Sequence, residues 1–170
     1  MNPLPGAPHL AYSHDRLTLD GQDLQALGQQ FGTPLYVYSA QAMREAAAML
    51  LGEHDFSAFR ASSCQALSPV KQLMRVDIAR RTAHPTSGPG PRGSAYWRFD
   101  FEANAFLHHM IRNLMGCLIP IGEGTHPPEW MAEVLAARSR DAASRTFSPD
   151  GLYFLGPQYD AHWGLPNGAP

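Results

Sequence analysis

The chain alternates between stretches of helical and strand periodicity, separated by Pro- and Gly-rich punctuation. Leu17-Thr18-Leu19 alternates like a short strand and runs into Asp20-Gly21, a turn signal. Leu24, Leu27, Gly28 and Phe31 recur at three- to four-residue spacing, which predicts a short amphipathic helix stopped by Gly32. Pro34 to Tyr38 is a short β-prone run, and Met43 to Leu51 is a strong helix former with Gly52 placed to close it. The aromatic stretch His54 to Arg60 is followed by two alternating segments, Val70–Ala79 and Tyr96–Phe106, which predict strands. The segment 82–94 is too rich in Pro and Gly to hold a ladder, so the two strands are expected to pair antiparallel across it. The best helix is Phe106–Ile119, with apolar residues at 106, 107, 110, 111, 114, 115, 118 and 119, and Pro120 is expected to end or kink it. A second helix is predicted over Pro128–Arg138, and Gly151–Tyr159 is a last β-prone run. The first sixteen residues, with Pro3, Pro5 and Pro8, read as a loose arm. The order predicts an α+β fold with a mainly antiparallel sheet and helices packed on one face.

Composition adds limits. At 170 residues and 44% apolar content, the chain has material for one packed domain, or one domain and an arm. No apolar run approaches the roughly 18 residues of a membrane span. The start lacks a basic segment and an apolar core, so no leader is expected, and Cys64 and Cys117 are too few for a disulfide framework. A reducing, cytoplasmic setting is the expectation.

The net charge of −2 hides an uneven distribution. Residues 60–112 carry seven Arg and one Lys against three acids, a basic block in a mildly acidic chain. Twelve of the thirteen cations are Arg, the side chain suited to bidentate phosphate contact and to stacking on bases, although a GC-rich coding sequence produces the same bias. On the polar side of the long helix, His108 and Arg112 stand four apart, with His109 and Asn113 beside them. That group is either a solvated face or an anion- or RNA-binding surface. Neighbouring His residues diverge by about 100° on a helix, so a metal site is disfavoured. No dinucleotide, P-loop, nucleophile-elbow, zincin or Cys-x-x-Cys motif is present.

Four strings carry a family resemblance: residues 50–78 (LLGEHDFSAFRASSCQALSPVKQLMRVDI), 101–119 (FEANAFLHHMIRNLMGCLI), 121–143 (IGEGTHPPEWMAEVLAARSRDAA) and 151–159 (GLYFLGPQY). In order and spacing they resemble the C-terminal half of the tRNA pseudouridine synthase A family, over about 44–165. The resemblance implies isomerisation of uridine to pseudouridine in the tRNA anticodon stem-loop, with tRNA as partner, no cofactor and a homodimer. It implies a nucleophilic Asp, an Arg paired with it, a Tyr stacked on the base and an apolar wall. Arg112 in HHMIR matches the Arg, and Leu152 in GLY matches the wall. A carboxylate nucleophile needs a nearby cation to stay ionised when buried. Arg60, Lys71 and Arg75, with His108 and His109, are the candidate RNA-binding residues.

The family's Asp motif is absent: none of the nine Asp (positions 15, 20, 23, 55, 77, 100, 141, 150 and 160) has its context. Residues 21–39 (GQDLQALGQQFGTPLYVYS) instead resemble the start of diaminopimelate decarboxylase, without that enzyme's lysine and phosphate-binding segments, so pyridoxal phosphate chemistry is not expected. The sequence therefore divides into residues 1–43, a poorly packed arm, and 44–170, a synthase-like domain with an inserted loop at 82–94. By itself the chain is expected to be inactive. A non-catalytic RNA-binding module is the competing reading, and a decarboxylase-related chimera is the third.

Overall fold

The computed structural model describes residues 3–82 and 95–165, so all of the inserted loop beyond its first residue lies outside the described residues. Mixed helices and two antiparallel three-stranded sheets make the fold α+β, as the pattern predicts.

The first sheet joins β1 (Leu10–Ser13), β2 (Arg16–Leu19) and β3 (Gln22–Asp23). Both of its hairpins have two-residue loops, His14-Asp15 and Asp20-Gly21, with positive φ at all four positions. That is the turn whose twist matches paired strands, and Asp-Gly favours it. Residues 1–16, expected as a loose arm, are thus in part corrected: 10–13 and 16 pair within this sheet. The side chain of Asp23 caps α1 (Leu24–Phe31) by accepting from the amides of Gln25 and Ala26, and Gly32 ends it at φ 84°, as expected. The β-prone run 34–38 forms no strand. Its first residue lacks an N–H, and a strand exists only where a neighbour completes its hydrogen bonds.

Helix α2 (Ala40–Ala48) starts earlier than expected, because Ser39 caps it by accepting from the Ala42 amide. It also ends earlier, and Gly52, expected as its stop, instead opens β4 (Gly52–Asp55) at φ 101°. The second sheet runs β4, β5 (Val70–Thr82), β6 (Ala95–Ala103), with the expected antiparallel pairing of β5 and β6. Its register sets Asp77 opposite Asp100. Arg98 offsets that repulsion by donating Nε to both Asp100 oxygens at 2.7 and 2.8 Å, and Arg81 sits 3.8 Å from Asp77.

Helix α3 (Met110–Gly122) departs from the expected 106–119 at both ends. Phe106 and Leu107 continue the apolar stripe, but Leu107 enters the core from a turn, and His109, at φ 61°, precedes the first helical residue. Pro120 neither ends nor breaks the helix. It stands in the last turn, where it forfeits one bond, and its carbonyl accepts from both the amide and the hydroxyl of Thr125. Helix α4 (Trp130–Ala137) begins two residues after the predicted Pro128. The core lies where α2, α3 and α4 meet one face of the second sheet: Met43, Leu50, Phe56, Phe59, Leu73, Ile78, Met110, Leu114, Leu118, Ile121, Met131 and Val134 are all buried. Ala42, Ala46 and Ala47 are buried on α2, and a Cβ at Gly122 of α3 would press on the Met43 side chain. The small side chains let the helices approach closely. Arg44 on α2 donates Nε and Nη2 to the Ile78 carbonyl and lies 5.6 Å from the Trp97 ring, tying the helix to β5 and β6.

The run 151–159 forms no strand and extends along the surface, with Tyr153 and Phe154 80% and 78% exposed. No helix among the described residues is long and apolar enough to cross a membrane.

Candidate functional site

The site is built where the start of α3 meets two loops. The loop after the turn of 3₁₀ helix at Ser57–Phe59 is folded by its own arginine: Arg60 donates Nη2 to the carbonyls of Cys64 and Ala66, both at 2.7 Å. Residues 104–109 are drawn onto this loop. The Ala61 amide donates to the His108 carbonyl, the His108 amide donates to Cys64 Sγ at 3.4 Å, and Ser63 Oγ hydrogen-bonds His108 Nδ1 at 3.1 Å. These bonds pull 108 out of the helix, so the expected one-turn pairing of His108 with Arg112 on a single helical face does not exist. The rings of His108 and His109 lie side by side instead, with centroids 3.9 Å apart and planes tilted by 33°. Loss of solvation, then His108 and Arg112, push the imidazole of His109 down from its ordinary pKa, leaving it neutral at pH 7. The Cys64 thiol is held below its usual range by the amides of Ala66 and His108 and by Arg60.

Arg112 occupies the first turn of α3. Its Nε donates to the Phe147 carbonyl at 2.8 Å, while the Phe147 amide donates to the carbonyl of Arg112 at 3.1 Å. Among the described residues, neither terminal nitrogen of the guanidinium has a protein acceptor. One edge of the fork is therefore fixed and the other is available to an anion.

The segment that fixes Arg112 is strapped to the rest of α3. Asn113, 1% exposed, donates Nδ2 to the Phe59 carbonyl at 2.8 Å, and its Oδ1 accepts from the Thr146 hydroxyl at 2.7 Å and from Arg140 Nη2 at 3.3 Å. Arg140 also donates to the Ala143 carbonyl and to Thr146 Oγ1. The Ser144 amide donates to Cys117 Sγ, and the bare backbone of Gly116 lies directly under the Arg145 carbonyl, where a Cβ could not fit. Burial pushes the Cys117 thiol up, which keeps it protonated. Every buried side-chain N or O atom among the described residues is bonded. Sequence reasoning missed this network. The pattern set Asn113 on the polar side of the helix, whereas the structure buries it, and the one usable signal was a Gly in mid-helix.

The remaining candidates stand on other elements. Lys71 and Arg75 are on β5: Lys71 donates Nζ to the Ser68 and Val70 carbonyls, and Arg75 pairs with Glu102 on β6 at 3.2 Å. Leu152 follows Phe147 by five residues and is about half exposed. Arg60, His108, His109 and Arg112 thus share one neighbourhood, whereas Lys71 and Arg75 lie along the sheet.

Comparison with known proteins sets this arrangement in a family. The model of the tRNA pseudouridine synthase family matches residues 46–160, and the chain belongs to that family. It is 67% identical over 126 residues to tRNA pseudouridine synthase A of Polaromonas naphthalenivorans (strain CJ2), covering 74% of this chain and 45% of that protein. It is 61% identical over 137 residues to the protein of the same name from Acidovorax sp. (strain JS42), covering 79% and 50%. The corresponding protein of Delftia acidovorans (strain DSM 14801 / SPH-1) is 57% identical over 149 residues, covering 82% and 53%. The chain spans about half the length of the curated relatives it matches.

Proposed function

We propose that this chain supplies the arginine-bearing portion of a tRNA pseudouridine synthase, acting on uridine in tRNA. The observation that carries the reading is the half-anchored guanidinium of Arg112: Nε is committed to the Phe147 carbonyl, and the terminal nitrogens are left for an anionic partner. In the intact site that partner is the carboxylate that attacks the nucleotide, and Arg112 keeps it ionised. Leu152 contributes the apolar wall. Arg60, His108 and His109 near Arg112, together with Lys71 and Arg75 along the sheet, are the groups that meet the RNA, with phosphate contacts supplying most of the affinity. The uridine leaves the stack to reach the site. Its C1′–N1 bond breaks and a C1′–C5 bond forms, the C5 hydrogen leaves as a proton and N1 takes one up, an isomerisation that needs no redox cofactor.

The nucleophilic Asp motif is absent from the sequence, so the carboxylate must come from polypeptide that this chain does not match. Residues 1–43 are an added arm and 44–170 the synthase domain. A homodimer and a cytoplasmic location follow from the same reading. The test is tritium release from tRNA carrying 5-tritiated uridine. The purified chain should show none while binding tRNA in a salt-dependent way, and robust turnover by the chain alone would refute the missing-nucleophile reading. A non-catalytic RNA-binding module predicts the same binding, but no turnover with any added synthase segment.

A further inference from the structure

The N-terminal β-unit is not part of the family match, yet it is fastened to it. His9 lies just ahead of β1 and is 8% exposed. Its Nδ1 meets Asp20 Oδ1 at 2.7 Å, and its Nε2 meets Glu45 Oε2 at 2.8 Å. Asp20 is in the turn after β2, whereas Glu45 is on α2, so the imidazole bridges the β-unit and the helical core. A neutral imidazole has one N–H and one bare nitrogen. With carboxylates on both sides, only the imidazolium donates in both directions, and the neutral ring turns a lone pair toward one carboxylate.

The neighbouring contacts show what this bridge holds. The backbone of Gly6 packs on that of Gly124 too closely for a Cβ, and a Cβ at Gly124 would press on Leu10. The Ser39 amide donates to the Gly122 carbonyl at 2.7 Å. A cavity lined by Leu10, Leu19, Leu24, Pro34, Val37 and Glu123 lies beneath the unit. Apart from His9 and the hydrogen bond between Tyr38 and Glu123, these contacts are backbone or apolar.

We propose that His9 is a protonation-dependent latch: its imidazolium, clamped between Asp20 and Glu45, fastens residues 3–39 onto α2 and the end of α3, and loss of the proton loosens that unit. The charged groups acting on His9 are Glu45 on α2 and Asp20 in the turn; Glu123, at the end of α3, interacts with Tyr38 instead. Burial opposes the charge, but hydrogen bonds and charge from the two carboxylates outweigh it, so His9 titrates above its ordinary 6.5. Glu45 is correspondingly held below the usual carboxylate range by His9 and Gln41. A raised pKa in the closed form means the latch is fully engaged below the ordinary value of 6.5 and is lost as pH rises through the closed-form value.

The test is an NMR titration of the whole chain, with the His9 signal identified by its loss in His9→Gln. Amide-exchange protection, corrected for intrinsic rates, is followed at Leu10, Thr18 and Leu19 and at Leu114 and Leu118. The His9 midpoint is expected above 6.5, and Glu45→Gln is expected to lower it. Protection of the β-unit should fall by up to about tenfold per pH unit between 6.5 and the midpoint, with α3 unchanged. A midpoint at or below 6.5, protection of the β-unit that ignores pH, or parallel loss in α3 overturns the proposal. Should His9→Gln fail to fold, the wild-type titration and the Glu45→Gln comparison still decide.

Discussion

Helix α3 and the run 151–159 are both rich in large apolar side chains, yet α3 is sunk in the core while Leu152, Tyr153, Phe154 and Leu155 stand in solvent. A helix completes its backbone hydrogen bonds within itself, so α3 needed only apolar neighbours, and α2 and the 3₁₀ turn at Ser57–Phe59 provide them. A strand completes its bonds with another strand, and no described segment pairs with 151–159. The helical half of the domain is self-sufficient and the C-terminal run is not. Exposed apolar surface of this kind marks an interaction site or an aggregation hazard. This agrees with a chain that spans about half of its relatives.

The contrast can be broken from either side. The largest effect is expected at Phe59, fully buried beside Phe56: Phe59→Ala should destabilise by about 3–5 kcal/mol in a denaturant titration. Asn113→Ala strands the Phe59 carbonyl, Thr146 and Arg140 together and should lose about 1–3 kcal/mol. Gly116→Ala drives a methyl group into the Arg145 carbonyl, and overpacking of this kind costs about 1–3 kcal/mol, more than the gain in helix propensity. Its diagnostic is a lost Phe147 amide contact to α3 in exchange measurements. The smallest effect belongs to the exposed run. Phe154→Ser should shift stability by no more than about 0.5 kcal/mol and should reduce self-association in light scattering. A loss of 2 kcal/mol or more there, on the scale of a core deletion, would mean that 151–159 is packed after all.

Periodicity reads well where the chain's own partner is local. The alternation in 70–79 and 96–106 found β5 and β6, and the spacing of Leu24, Leu27 and Phe31 found α1. It misplaced the start of α3, because Phe106 and Leu107 extend the apolar stripe while the bonds of residue 108 to the 61–64 loop, more than forty residues away, hold the backbone out of the helix. It read 34–38 and 151–159 as β-prone, and neither forms a strand, because propensity does not supply a neighbour. At the candidate site, Arg112 is a choice that family resemblance makes, whereas the bond from Thr146 to Asn113 spans 33 residues and leaves no local trace.

The central claim is that the free edge of the Arg112 guanidinium is there to meet an anion at the RNA-facing site. The direct measurement is tRNA binding at low salt by the wild-type chain, by Arg112→Ala and by Arg16→Ala, the last removing an exposed cation paired with Asp23 in the first sheet. The account predicts about tenfold weaker binding for Arg112→Ala, with only the small drop in melting temperature that loss of one exposed hydrogen bond brings, and no change in binding for Arg16→Ala. Equal weakening by both variants, or none by either, would contradict it.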